Sequence, residues 1–559
     1  MNLPLNAAAA SPTTTAPDAK TTSHRPWWRG AVIYQIYPRS FLDTNGDGIG
    51  DLRGCIEGLE YIASLGVDGI WISPFFTSPM NDFGYDVADY CNVDPIFGTL
   101  ADFDELVDKA HQLNLKVIID QIYSHTSDAH EWFRESRQDT TNPKADWYVW
   151  ADPKPDGSPP NNWQSVFGGP AWTWEARRGQ YYLHNFLHSQ PDLNVRNKEV
   201  QDALLQVAKF WLDRGVDGFR LDAINFAMHD PQLRDNPPAP TEGRIISRPF
   251  DLQQHIYNQS HPDILPFLER VRAVVNAYED RFTVAEVGGP DPIAEMKAFT
   301  ENGKRLDSAY SFDFLYAETL TPHKLKTALN TWGDDEGEGW PSWAFSNHDA
   351  PRAISRWHDG SDPEHFAKMA SALLLSIRGN PILYQGEELG MPQTPIPFEK
   401  LQDPEAIANW PQTLGRDGAR TPLPWDAEQV FAGFSKSEPW LPIGDGQSAL
   451  AINRQESQPK STLNFVRTML QLRRQSPALR YGDLQVLPCP YPLFAFVRTE
   501  GDEAVLCVFN LGNTVVAWTP EGLPKGLRPS RLLLENQPGH DKMDCVYPFG
   551  AYIATLDRA

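Results

Sequence analysis

Three acidic residues, each closing a short strand-like run, have the types and spacing to do chemistry together: Asp222 in VDGFRLDAINF, Glu286 in RFTVAEVGG and Asp349 in SWAFSNHDAPR. β-Branched and aromatic content marks each run as a strand. A carboxylate at the C-terminal end of a strand followed by a helix is where a (β/α)8 barrel presents its reactive groups. Three carboxyls at one mouth supply a nucleophile, a proton donor and a stabilising partner, the set that acid-assisted cleavage of a glycosidic bond requires. In DGFRLDA, two-residue alternation sends Phe219 and Leu221 to one face and Arg220 and Asp222 to the other. Arg220 is therefore expected to hold Asp222 ionised by charge pairing. Glu286 follows Thr283, Val284 and Ala285. Such surroundings should raise its pKa toward that of a proton donor working near neutrality. Taken singly, an Asp–Arg pair or a strand-end Glu serves equally well as a structural device.

A second constellation is DTNGDGIGDL at 43–52. Asp43, Asn45, Asp47 and Gly48 reproduce the first six positions of a calcium loop, and Asp51 falls at the ninth. Gly54 stands where a bidentate Glu would be, and a strand precedes the loop, so an EF-hand is excluded and a polar turn competes with a cation site.

The elements that must position these groups follow a βα rhythm. Strand candidates are AVIYQIYP (31–38), GIWISP (69–74), KVIID (116–120), DGFRLD (217–222), FTVAE (282–286), AYSFDF (309–314), SWAFSN (342–347) and PILYQG (381–386). Helical periods lie between most of them, among them 54–66, ended by Gly66, 100–115 and 198–215. Alternation of this kind implies a parallel sheet, and eight units imply closure into a barrel. Residues 121–192 break the rhythm with Trp, Pro, Asn and Gly and show no clear helix, which reads as an inserted subdomain rather than a loop. After a helix at 462–475, short alternating runs (LQVLPC, LFAFVRT, AVLCVFN, TVVAWT, AYIATL) predict an antiparallel β domain. The domains expected are thus a disordered leader at 1–24, barrel segments at 25–120 and 193–476 around the insertion at 121–192, and a C-terminal β-sandwich at 477–559.

Composition narrows the function classes. The 559-residue chain has a net charge of −24 and no basic run. That excludes nucleic acid and anionic membrane as expected partners and favours a soluble protein with a neutral or cationic ligand. Apolar stretches such as ALLLSI at 372–377 are far too short to span a bilayer. Cys55, Cys91, Cys489, Cys507 and Cys545 are odd in number and show no CxxC spacing. They read as reduced thiols in a cytoplasmic enzyme. The leader lacks both the basic and the apolar region of a signal peptide.

The ordered motifs WWRGAVIYQIYPRSF, DFGYDVADY, KVIIDQIYSHTS, QPDLN, DGFRLDA, AEVGG, FSNHDAPR, YQGEELG and GRDGARTPLPW run from Trp27 to Trp425, and the likeness they carry extends from Trp27 to the C-terminus. They resemble glycoside hydrolase family 13, the α-amylase family, and within it the α-glucosidase and oligo-1,6-glucosidase group. The resemblance implies Asp222 as nucleophile, Glu286 as general acid/base and Asp349 as the third carboxylate. It places His125 and His348 on sugar hydroxyls, Asp82 (rather than Asp86) and Tyr85 in the glucose pocket, and Phe167 and Phe186 on its walls. It sets Arg220 beside the nucleophile and has Arg416, rather than Arg420, grip the terminal sugar with Asp82. It also implies a structural Ca2+ or Mg2+ held by Asp43, Asn45, Asp47, Asp51 and the Ile49 carbonyl, and no organic cofactor.

Relatives preferring α-1,6 linkages resemble GFRxDV; Ala223 here points instead to short α-1,4-linked substrates such as maltose, whereas QPDLN at 190–194 pulls toward the oligo-1,6-glucosidase lineage. A covalent intermediate admits water, a sugar or an alcohol as acceptor, so transglucosylation is expected. An oligo-1,6-glucosidase or a sucrose-active isomerase or hydrolase is the alternative, although no RLDRD-like segment is present. Non-catalytic transporter heavy chains of this fold carry a membrane segment and lose catalytic acids, unlike this chain. The Pro-rich stretch 229–241 is expected to lie over the site and limit substrate length. A monomer or homodimer is expected.

Overall fold

The computed structural model describes residues 25–242, 246–330, 332, 339–413, 415–540 and 542–558. The leader at 1–24 therefore lies outside the described residues.

All eight expected strands form and pair in parallel: β1 (Ile33–Ile36), β2 (Gly69–Ile72), β3 (Lys116–Ile122), β4 (Gly218–Asp222), β5 (Phe282–Val287), β6 (Ser308–Ser311), β7 (Trp340–Ala344) and β8 (Asn380–Tyr384). They follow one another in sequence order around a closed barrel, and Ile33 opposite Ile382 joins β1 to β8. Inward residues such as Ile33, Trp71, Ile118, Val284, Tyr310 and Ile382 fill the interior. Their outward neighbours, among them Phe219, Leu221, Ala285 and Val287, pack under the surrounding helices. Burial on both faces is why these strands read as near-continuous apolar runs.

The period-two pleat then decides which side chains reach the mouth. Along β4, Arg220 and Asp222 alternate with the outward Phe219 and Leu221; along β5, Val284 and Glu286 alternate with Ala285 and Val287. The helix Leu52–Leu65 is capped by the Asp51 side chain on the Gly54 N–H and stops at Gly66, whose φ of 93° suits a residue without Cβ. Under the barrel, Arg473 of the helix Thr462–Gln475 donates to the carbonyls of Gly30, Leu375, Gly379 and Leu479, stitching the first strand's approach to the last helices.

Between β3 and the helix Lys198–Asp213 stands the insertion. Its three-stranded antiparallel sheet (Trp150–Ala151, Gln180–Leu183, Trp172–Glu175) has a core of its own around Trp163, Trp172 and Leu183. One short helix, Glu131–Ser136, forms where the sequence shows no clear helical period; the His130 side chain accepts from the Trp132 N–H and starts it.

Beyond residue 482, β9 (Asp483–Val486), β10 (Leu493–Glu500), β11 (Glu503–Asn510), β12 (Leu527–Glu535) and β13 (Ala551–Arg558) make one antiparallel sheet in the order β9-β10-β11-β13-β12. One face, including Phe494, Phe496, Phe509 and Ile553, joins the barrel's core. The other is covered by Trp518, Met543 and Val546 around a two-stranded ribbon of Val516–Ala517 and Cys545–Val546. The expected run TVVAWT thus belongs to the ribbon, and the sheet's edge is instead β12. Two register shifts against β13 break the alternation of β12 and hide it from sequence reading.

Candidate active site

The C-terminal ends of the strands open on a hollow of about 240 Å³. Asp222, Glu286 and Asp349 all line it, brought from strand ends 63 to 127 positions apart in the chain. Asp82, Tyr85, His125, Phe167, Phe186 and Arg416 line it as well. Arg220 and His348 do not; both are fully buried one layer behind.

Arg220 organises the deep end. Its Nη1 donates to Asp222 Oδ1 and to Asp120 Oδ1, each at 2.5 Å, its Nη2 pairs with Glu286 Oε1, and its Nε donates to the Tyr310 hydroxyl at 3.0 Å. Tyr310 in turn donates to Glu286 Oε1 at 3.1 Å, and the Ala223 N–H reaches Glu286 Oε2 at 3.2 Å. Ala223 delivers that N–H from left-handed backbone, φ 37° and ψ 38°, a conformation disfavoured for any residue with a Cβ.

The ion pair expected between Arg220 and Asp222 is present, but its net effect is not the one expected. Burial pushes the Asp222 carboxyl well above the ordinary carboxylate range; Arg220 opposes this, while Glu286, Asp120 and Asp349 add to it. One guanidinium is shared among Asp222, Asp120 and Glu286, so its charge does not offset burial at Asp222 or at Asp120. Asp349 stands apart. Burial raises it, but His348, Arg420 and Arg416 outweigh burial and hold it well below the usual range.

The remaining polar groups form a continuous frame. Arg416 Nη2 donates to Asp82 Oδ1 and Asp403 Oδ1, both at 2.8 Å, and its Nη1 reaches Asp349 Oδ1 at 3.3 Å. Arg420 Nη2 donates to the same Asp349 oxygen at 2.7 Å but does not line the hollow. Asp82 lines the hollow and Asp86 does not: the Asp86 carboxylate accepts from the Asn81 and Asp82 N–H groups and Ser78. Tyr85 stacks on His348 at 5.3 Å between ring centroids, and its hydroxyl lies 2.7 Å from His348 Nε2. Burial lowers His125 to about 4, leaving a neutral imidazole at neutral pH.

A deep, carboxylate-rich hollow of this kind at the mouth of a barrel invites comparison with known proteins. Residues 35–482 match the family model described as the α-amylase catalytic domain. The chain belongs to the α-amylase family. A probable α-glucosidase of Rhizobium meliloti (strain 1021) is 52% identical over 512 residues, 90% of this chain and 92% of that protein. An oligo-1,6-glucosidase of Heyndrickxia coagulans is 37% identical over 570 residues, 95% of this chain and all of that one. Among solved structures, an α-glucosyl transfer enzyme superposes with a TM-score of 0.90 at 49% identity, covering 95% of this chain and 100% of that chain.

Within this family frame, one motif gains a physical role. Gln190 of QPDLN donates to Asp82 Oδ2 at 3.0 Å and lies 3.2 Å from His125 Nε2, so the segment read only as a mark of lineage supports the pocket.

Several lining residues escaped sequence reading. Phe226, Gly288 and Phe312 sit just beyond strand ends already singled out, and that position was the available signal. Arg248, Phe250, Gln259 and Glu405 come from long connections with no local signature. The stretch 229–241 does not itself line the hollow. It docks on the inserted subdomain, where Trp163 Nε1 donates to Arg234 O at 2.9 Å and the Asn162 N–H to Asp235 Oδ1 at 3.0 Å. The later part of the same connection, at Arg248 and Phe250, is what reaches the hollow.

The loop at 43–51 offers only oxygen donors, the chemistry that Ca2+ and Mg2+ prefer. Its side chains are turned to its own backbone: Asp43 accepts from the Gly46 and Gly48 N–H groups, Asn45 from Asp47, and Asp47 from Ile49. Asp51 faces Thr44 and the Gly54 N–H at the start of the helix Leu52–Leu65. Among the described residues, no three His, Cys, Asp or Glu side chains gather closely enough to hold an ion. The donor types fit a hard cation.

Proposed function

We propose that the protein is a retaining α-glucosidase that releases, or transfers to a sugar, alcohol or water, the non-reducing-end glucose of short α-1,4-linked substrates. One observation carries the reading: Asp222, Glu286 and Asp349 line a single small hollow together with the hydrogen-bonded pair Asp82 and Arg416. Its volume of about 240 Å³ is below the roughly 300–1,000 Å³ of pockets for drug-sized ligands, which suits one glucosyl unit and a small acceptor.

In this reading an Asp222 oxygen attacks the anomeric carbon while Glu286 gives its proton to the departing glycosidic oxygen, leaving a glucosyl ester on Asp222. The acceptor hydroxyl then loses its proton to Glu286 as its oxygen displaces Asp222, restoring both groups. That one guanidinium touches both carboxyls favours the close-set pair of a retaining enzyme, with roughly 5–5.5 Å between carboxyl groups. The mechanism assigns the transferred proton to Glu286. Asp349, held low by His348, Arg420 and Arg416, is placed to bind sugar hydroxyls and favour positive charge at the anomeric centre.

The loop at 43–51 is proposed as a structural cation site remote from these steps. All five cysteines are free thiols, in keeping with the cytoplasmic setting we propose, and no helix among the described residues is long and apolar enough to cross a membrane. We propose a monomer or homodimer.

The deciding experiment is incubation with maltose, isomaltose and sucrose, with products resolved in time. Dominant turnover of maltose, with glucosyl transfer products, supports the proposal; dominant turnover of isomaltose favours the oligo-1,6-glucosidase alternative. Asp222→Asn should abolish turnover while leaving the thermal transition in place, and retained activity would reassign the nucleophile.

A further inference from the structure

We propose that the ion pair between Arg248 and Glu405 is the acceptor-side boundary of the hollow and determines how many sugar units it admits. The inference rests on the α-glucosidase reading above. Arg248 belongs to the long connection after β4, and Glu405 to the short helix Pro404–Asn409 after β8. These elements lie 157 positions apart, yet Arg248 Nη1 donates to Glu405 Oε1 at 3.1 Å and to the Val166 carbonyl of the inserted subdomain at 3.2 Å. All three residues line the hollow. The pair is thus a strut joining the three walls that surround the space beyond the catalytic acids.

Both ends of the strut are fixed. Beside Glu405, Asp403 accepts from Arg416 through its N–H, Nε and Nη2 at 2.7, 3.1 and 2.8 Å, the same arginine that holds Asp82 and Asp349. Asn409 adds a second tie from this helix to the Phe167 carbonyl at 3.0 Å. Arg248 lies over the Phe250 ring at 5.4 Å, and its side chain keeps only 26% of its exposure, against 13% for Glu405. A charged pair this far from water is costly to separate, because either partner left alone keeps its desolvation penalty. A single glucosyl or small alcohol acceptor fits inside the strut and can hydrogen-bond to its charged groups. A second sugar unit has to displace it. Short substrates are therefore favoured by an electrostatic closure assembled from three separate parts of the chain.

The test compares maltotriose with maltose in Arg248→Gln, Glu405→Gln, the double variant, and the exchanged pair Arg248→Glu/Glu405→Arg. The ratio of kcat/KM values should rise about tenfold toward maltotriose in each single variant. The double variant should show no further rise, since the Arg248–Glu405 ion pair is already lost in each single variant, and the exchanged pair should return the ratio toward that of the parent. Calorimetric affinities for the two sugars in an Asp222→Asn background give the same ratio without turnover, so the boundary is tested even if the parent fails to cleave maltose and the functional reading falls. An unchanged ratio by both measures in folded variants would overturn the proposal.

Discussion

Replacing Asp120 with Asn probes the charge balance beneath the site without touching substrate. Asp120 is fully buried, does not line the hollow, and raises Asp222 through its negative charge. Both carboxylates meet the same Arg220 nitrogen at 2.5 Å, so their nearest oxygens are no more than twice that distance apart. At about 5 Å and an effective dielectric constant of about 20, two unit charges repel by roughly 3 kcal/mol, equivalent to about 2 pKa units. Asp120 is itself raised by burial, in the same direction as Asp222. The sign is fixed: removing a negative neighbour, and freeing Arg220 for its other partners, lowers the pH at which Asp222 ionises. The acidic limb of kcat/KM against pH should therefore move to lower pH, by up to about 2 units. Asn also disturbs the Trp71 Nε1 hydrogen bond to Asp120, 2.7 Å in the parent, and kcat should fall. The position of the limb is independent of that loss, which is why a full pH profile, not a single rate, is the assay. An acidic limb that stays in place or moves upward would refute the account of a guanidinium shared among three carboxylates.

Ala223→Val should cost about 1–3 kcal/mol in denaturant unfolding, because a β-branched residue is forced into left-handed backbone at φ 37°. The same change should lower maltose turnover relative to isomaltose; unaltered stability would dismiss the strain argument. Ca2+ or Mg2+ at a hundredfold excess over its Kd should stabilise the protein by about 2.7 kcal/mol if the loop at 43–51 binds it, seen as a Tm that falls with chelator and recovers on re-addition. A Tm indifferent to chelator and metal would leave that loop as a polar turn.

Much of this was legible in the chain itself. The alternation of Arg220 and Asp222 against Phe219 and Leu221 placed the charged pair on the barrel's inner face, because a strand's pleat has a period of two and only one face meets the helices. Gly66 ended its helix as expected, and the eight apolar runs became the eight strands of the barrel, since periodicity and helix punctuation are local properties. β12 was missed because its bulges erase the alternation on which such reading depends.

The electrostatics belonged to the tertiary structure alone. Asp120 and Arg220, 100 positions apart, meet only when β3 pairs with β4, and that meeting divides one positive charge among three acids. Arg248 and Glu405 carry no local signature at all; each is an ordinary charged residue in a long connection until folding sets them against each other over the hollow. Local sequence dictates backbone periodicity and which way a side chain points. The energy of a charge depends on every neighbour within a few ångströms, and those neighbours are chosen by the fold.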